Sequence, residues 1–321
     1  MSRSRKPGSQ RLPLSSAGVS PHVLSFDVEE YFQVEAAAEG GVTPDQWHAF
    51  EKRLTPCVER ILQLLDEHAA SATFFVLGWV ARHEKQAVRL IADAGHEIAS
   101  HGMTHTMLGR LTPEQFRGEL VESRALLEDL SGRPVIGYRA ATFSITHQTA
   151  WAIDVLAETG YLYDSSIFPV RHDRYGVPDA PTDVHRAVGP GGGGILEIPP
   201  LTLGVMSHRV PLGGGGYLRL LPVRLLGRAL RAAERRGRPG MIYLHPWELD
   251  PGQPALPMGP VSRWRHRVNL QHTQRKLQWL LSHFRFVEAG ELLETLNRQV
   301  ATTHRYGNAS RVPVDHAGQP S

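Results

Sequence analysis

Between Val23 and Arg298, short apolar runs alternate with amphipathic helical patterns, and this alternation narrows the folds open to the chain. Val23–Asp27, Ala72–Leu77, His96–Ser100, Pro134–Arg139, Tyr161–Asp164, Ile195–Ile198, Met241–His245 and Phe284–Val287 read as strands. Helical patterns lie between them. One opens at Thr55-Pro56, read as N-cap and first-turn proline, with Val58, Ile61, Leu62 and Leu65 on one face. Another stops at Gly95, and a third starts at the capping box Thr112-Pro113-Glu114-Gln115. Further patterns cover Gln148–Thr159, Leu221–Arg236, Arg263–His283 and Gly290–Arg298. Strands that alternate with helices bury both faces of a parallel sheet, either open or closed into a barrel.

The chain has 321 residues, 41% hydrophobic and 21% charged, which suits a globular enzyme with one large or two modest cores. A net charge of +3, partly from Arg-rich ends, does not argue for nucleic acid. Cys57 is the sole cysteine, so no internal disulfide or cysteine-based zinc site can form. Its place at a helix start would stabilise a thiolate, but no histidine neighbours it in sequence. The expected organisation is a disordered tail over 1–20, a domain over 21–298, and a polar tail over 299–321. The first segment lacks the apolar stretch of a secretory signal, and no window is apolar enough to span a bilayer. The expected location is therefore the cytoplasm, at the periphery of an inner-membrane assembly. Phe168–Gly194 and Leu203–Gly216 break the rhythm and read equally as loops over a site or as solvated insertions.

Polar residues gather where the apolar runs stop. Asp27 and Glu29 close the first run, His101 follows the third, and Arg139, Asp164 and His245 end the fourth, fifth and seventh. Carboxyl ends of parallel strands form the face on which such sheets build active sites. His101 and His105 stand four apart, and a helical turn would offer both imidazoles to one metal ion. With 17 histidines in the chain, the pair alone is weak. Two histidines plus a carboxylate, however, is a usual ligand set for catalytic zinc. Asp27 and Glu29 point to one side of an extended backbone, so either could be that carboxylate. Glu30 reads as a solvated loop residue. Trp247 reads equally as a sugar-stacking surface or as a plug in the sheet mouth.

The segments Ser25–Val34, Ala72–Gly78, His96–Gly102 with His105, Gly137–Ala140 with Phe143–Ile145, Tyr163–Pro169 and Tyr243–Glu248 follow one another in an order that resembles the NodB-homology polysaccharide deacetylases. These belong to the carbohydrate esterase type, and the chain is most similar to the branch in exopolysaccharide loci of the exosortase system. The part from 168 to about 298 resembles that branch's extension. The resemblance implies a distorted, incomplete (β/α) barrel with about seven parallel strands. It further implies hydrolysis of N-acetyl groups from a polysaccharide or its lipid-linked precursor with a divalent metal, zinc by preference.

The resemblance also assigns roles. Asp27 is the general base, Arg139 holds it ionised, His245 is the general acid, and Asp164 orients His245. Glu29, His101 and His105 hold the metal, while Tyr138, Phe143 and Trp247 meet the sugar. Val28 stands where many members carry a second aspartate, which leaves open a metal-independent amidohydrolase of a small cyclic amide and a non-catalytic polysaccharide-binding protein.

Overall fold

The computed structural model describes residues 20–172, 174–205 and 208–307. Its strands are β1 His22–Val28, β2 Thr73–Val76, β3 Glu97–Ser100, β4 Gly137–Tyr138, β5 Tyr163–Asp164 and β6 His185–Val188. They continue with β7 Gly194–Glu197, β8 Thr202–Val205, β9 His208–Pro211, β10 Met241–Leu244, β11 Phe286–Val287 and β12 Thr303–Arg305. In the spatial order β10-β1-β2-β3-β4-β5-β7, every neighbouring pair is parallel. Beyond β7 the chain reaches Pro200, which makes a lone parallel bridge to Met241 of β10. The ring is thus closed by a bridge rather than a ladder, which gives the expected distorted, incomplete barrel.

Side-chain alternation along the strands separates two layers. On β1, Leu24, Phe26 and Val28 join the large core beneath the outer helices, whereas Val23, Ser25 and Asp27 lie on the alternate face. On β2, Phe74 belongs to the outer core and Phe75 to the inner cluster with Ala99, Tyr163 and Met241. Both faces are dry, which is why these strands read as continuous apolar runs.

Several local expectations are corrected. The second helix is Leu54–Glu67 with Arg53 at its N-cap, so Thr55 and Pro56 lie inside its first turn. Glu30 supplies the missing acceptor. Its Oε1 takes the N–H groups of Arg53 at 2.6 Å and Leu54 at 3.0 Å, so this residue is buried rather than solvated. The pattern over 263–283 splits into helices Pro260–Arg267 and Thr273–His283, because Asn269 between them is left-handed, with φ 56°. Strand β6 and the hairpin β8–β9 lie within the two aperiodic segments. At four residues each, they are too short to leave a clear period. Ordered structure also runs past 299, since β12 pairs with β6 and Tyr306 is buried. The rest of the expected tails, 1–19 and 308–321, lies outside the described residues.

Candidate active site

Arg139 directly follows β4, and its N–H is held by the carbonyl of Ser100 at 3.0 Å. Its guanidinium enters the barrel, donates to Asp27 Oδ1 at 2.6 Å, Ser25 Oγ at 3.0 Å and Ser165 Oγ at 2.9 Å, and lies 4.0 Å from the Phe75 ring centroid. Arg139 is fully buried. A buried guanidinium needs a carboxylate partner, and Asp27 is that partner.

Glu29, His101 and His105 form the second group. Each offers one ligand atom, and the three atoms lie within 4.8 Å of one another. His101 Nδ1 donates to the carbonyl of Arg139 at 2.8 Å, which leaves Nε2 with its lone pair. Burial lowers the pKa of His101, and burial together with the fields of His101 and His245 holds His105 well below the usual range, so both are neutral imidazoles. Burial also pushes Glu29 up to about 7, with Asp27 and Glu248 acting in the same direction against His245 and the Trp247 N–H. Glu29 Oε2 and His105 Nδ1 are buried without a hydrogen-bond partner, and Oε2 lies 3.1 Å from His105 Nε2. Neutral imidazoles beside an orphaned carboxylate oxygen are a donor set that a cation would satisfy. The helical turn expected for 101–105 is absent. The segment is a bent loop with Gly102 at φ 78° and His105 at φ 54°, tied down by Gly78 N–H to Gly102 O at 2.8 Å and Trp79 N–H to Met103 O at 2.9 Å.

His245 follows β10. Its Nε2 lies 3.6 Å from Glu29 Oε1 and 4.0 Å from Asp27 Oδ2, so it closes the two groups into one site. Its Nδ1 lies 3.2 Å from Glu248 Oε2, which also accepts the His245 backbone N–H at 2.9 Å. Arg219 Nε donates to the other oxygen of Glu248 at 2.8 Å. Burial alone would lower the His245 pKa. The hydrogen bond to Glu248 and the fields of Glu29, Glu248 and Asp27 overcome it and raise the imidazole to about 9. Glu248 stays near 2, because Arg219 and His245 outweigh its own burial.

The other nominated residues fall elsewhere. Asp164 does not face His245. Its Oδ1 accepts from Ser166 Oγ at 2.5 Å, and it is the register partner of Glu197 across β5 and β7. Burial raises both carboxyls, Asp164 to about 6 and Glu197 well above its ordinary value. Glu248 occupies the orienting position instead. The sequence held a signal for it, an acid three residues after the histidine in a Pro-initiated turn. Trp247 is buried, with His245 stacked on it at 4.9 Å and His266 at 4.3 Å between ring centroids, which fits the plug reading better than an open sugar platform. Tyr138 points away from Arg139, into the outer layer against Phe116 and Tyr161, as adjacent strand residues must. Phe143 lines the inner wall with Phe168 and Tyr243, its ring centroid 5.4 Å from the Arg139 guanidinium. Cys57 is buried, and burial pushes its thiol up to about 12, so it is no nucleophile.

Residues 45–163 match the polysaccharide deacetylase family, and residues 165–294 match a family described as Domain of unknown function (DUF3473). The chain is 35% identical over 112 residues to the peptidoglycan deacetylase-like protein FGM2 of Gibberella zeae, an alignment covering 34% of this chain and 32% of that protein. It is 30% identical over 110 residues to a peptidoglycan deacetylase of Helicobacter pylori, covering 34% and 36%. Against a chitooligosaccharide deacetylase of Rhizobium leguminosarum bv. phaseoli it is 30% identical over 131 residues, covering 36% and 57%. The matches thus span about a third to somewhat over half the length of these relatives. A Mycobacterium smegmatis crystal structure, assigned as a polysaccharide deacetylase, shares the fold with a TM-score of 0.58 at 19% identity, covering 92% of this chain and 98% of that one. The family match is thus confined to residues 45–163, and over most of its length the chain shares the α/β barrel fold of the mycobacterial structure.

Proposed function

We propose that this protein hydrolyses N-acetyl groups from amino sugars of a polysaccharide, an exopolysaccharide or its lipid-linked precursor. The observation that carries this reading is the convergence of Glu29, His101 and His105 within 4.8 Å, beside Asp27 and His245. The first three would hold a divalent cation, and two nitrogens with one oxygen favour zinc. A cation there would act as a Lewis acid and bring the pKa of a water toward ~7. Asp27, held by Arg139, would accept the proton of the attacking water. His245, held by Glu248, would protonate the amine as the acetyl C–N bond breaks. Acetate and a free amino sugar result. The relatives named as peptidoglycan and chitooligosaccharide deacetylases support the substrate class.

The test measures acetate release from N-acetylated glycan oligomers alongside the metal content of the purified protein. Release that needs the bound metal is expected. Full activity after exhaustive chelation would instead favour a metal-independent amidohydrolase, and the absence of acetate release from any N-acetylated glycan would sink the proposal.

A further inference from the structure

The basic excess of the chain is not spread evenly, and the largest share outside the N-terminal segment lies in one region. Between Gly213 and Val287 there are 13 Arg and Lys residues against three acidic ones, whereas the whole chain carries 35 against 32. Glu248 is neutralised by Arg219, Asp250 by Arg53, and Glu234 lies beside His22. Arg231 and Arg235 act on Glu234 and Arg238 pairs with Asp183, whereas Arg224, Arg228, Arg263 and Arg265 make no ion pair with the described residues. Arg224, Arg228, Arg231 and Arg235 recur at helical spacing and are all exposed on the helix begun by Val223–Glu234, while Arg263 and Arg265 are exposed on helix Pro260–Arg267.

The same region holds exposed apolar side chains. Leu220 is 45%, Val261 62% and Trp264 57% exposed, three of the five large hydrophobics that stand out to this degree among the described residues. Val261 and Trp264 are three apart and so share a helix face. Their helix is joined to helix Gly215–Leu220 by Arg219, which donates to the carbonyls of His266 at 3.1 Å and Val268 at 2.8 Å. Arg265 in turn acts electrostatically on Tyr217.

Chain direction places this patch at the barrel mouth. β10 runs from floor to mouth, and helix Pro260–Arg267 follows its mouth end. Helix Gly215–Leu220 starts beside Tyr243, near the same end of β10. Arg224 and Arg228 lie on the upper turns of a helix that descends to the floor at Met241. The patch also backs on the site, since His266 stacks on Trp247, which stacks on His245.

We infer that this rim, built from Leu220, Val261, Trp264 and the surrounding arginines, docks the barrel mouth onto a bilayer bearing anionic headgroups. Arginines supply charge complementarity to the headgroups, and a tryptophan flanked by aliphatic residues suits the headgroup–acyl boundary. A soluble polyanion would use the arginines alone and gain nothing from an exposed Trp264 and Val261. Among the described residues no helix is long and apolar enough to cross a membrane, so the attachment inferred is peripheral. It stands independently of the catalytic reading.

The test is co-sedimentation of the full chain with phosphatidylcholine vesicles, with and without phosphatidylglycerol. Binding is expected only with phosphatidylglycerol and should weaken as salt rises. Joint replacement Arg224→Gln, Arg228→Gln, Arg263→Gln and Arg265→Gln should lower partition by about tenfold or more. Trp264→Ser, at unchanged charge, should also lower it, with circular dichroism unchanged in both variants. No sedimentation with the anionic vesicles, or sedimentation indifferent to both variants, would overturn the inference. So would a Trp264-independent affinity for heparin that matches the affinity for vesicles. A dimer dispersed by Trp264→Ser in sedimentation velocity would assign the face to a second copy of the chain instead.

Discussion

Glu248 grips His245 at two points with a single oxygen, 3.2 Å from the ring Nδ1 and 2.9 Å from the backbone nitrogen. That arrangement fixes both the rotation of the imidazole and its tautomer, leaving Nε2 to face Asp27 and Glu29. Replacing Glu248 with Gln keeps the shape but removes the charge, and turnover should fall roughly 10²-fold or more, with substrate affinity little changed. Gly215→Ala should act on the same contact, because a Cβ there would stand 1.9 Å from Glu248 Oε2. Steady-state kinetics of both variants check this. Asp164→Asn serves as the control, and an equal kcat loss there would return the orienting role to Asp164.

Metal content and turnover should separate by residue. Glu29→Gln, His101→Ala and His105→Ala should each lower bound metal and activity together. Asp27→Asn should keep the metal while losing about 10²–10⁴ in kcat. Elemental analysis of each variant beside acetate release decides between the two carboxylates. If the Asp27 variant lost metal and the Glu29 variant kept it, their roles would be exchanged.

Arg139 is also a matter of stability. Arg139→Ala leaves Asp27 buried without its cation, and a loss of about 3–5 kcal/mol is expected in urea unfolding. Arg139→Lys should recover only part of it, because a single ammonium cannot reach Asp27, Ser25 and Ser165 together.

His22 predicts part of the acid limb of the stability curve. Its Nδ1 accepts the N–H of Gly240 at 3.0 Å, so the folded state needs the neutral ring, and burial lowers its pKa to about 4. A folded pKa below the unfolded value near ~6.5 stabilises the protein above that value. The contribution, up to about 3 kcal/mol, is lost as pH falls through that range to about 4. His22→Asn offers an acceptor of similar reach that does not titrate, so its stability should decline less between those pH values. An unchanged acid limb in unfolding experiments would show that other groups set it.

The residues that reach the barrel mouth were determined by the sequence itself. Parallel strands joined by helices all end on one face, so Asp27, Glu29, His101, Arg139 and His245 could be collected from the ends of apolar runs. The opposite directions of Tyr138 and Arg139 follow from the same alternation. Partnership was another matter. Arg139 meets Asp27 across 112 residues of chain, a contact that exists only once the sheet curls. Asp164 and Glu248 are both carboxylates near strand ends, and nothing in their spacing tells which one faces His245. Register across β5 and β7 pairs Asp164 with Glu197, while the turn Pro246–Leu249 folds Glu248 back beneath the imidazole. Trp247 likewise stacks with His266 only because helix Pro260–Arg267 returns that residue against it. Local periodicity sets the direction of a side chain relative to its own backbone, whereas what that side chain meets is decided by how distant segments close around it.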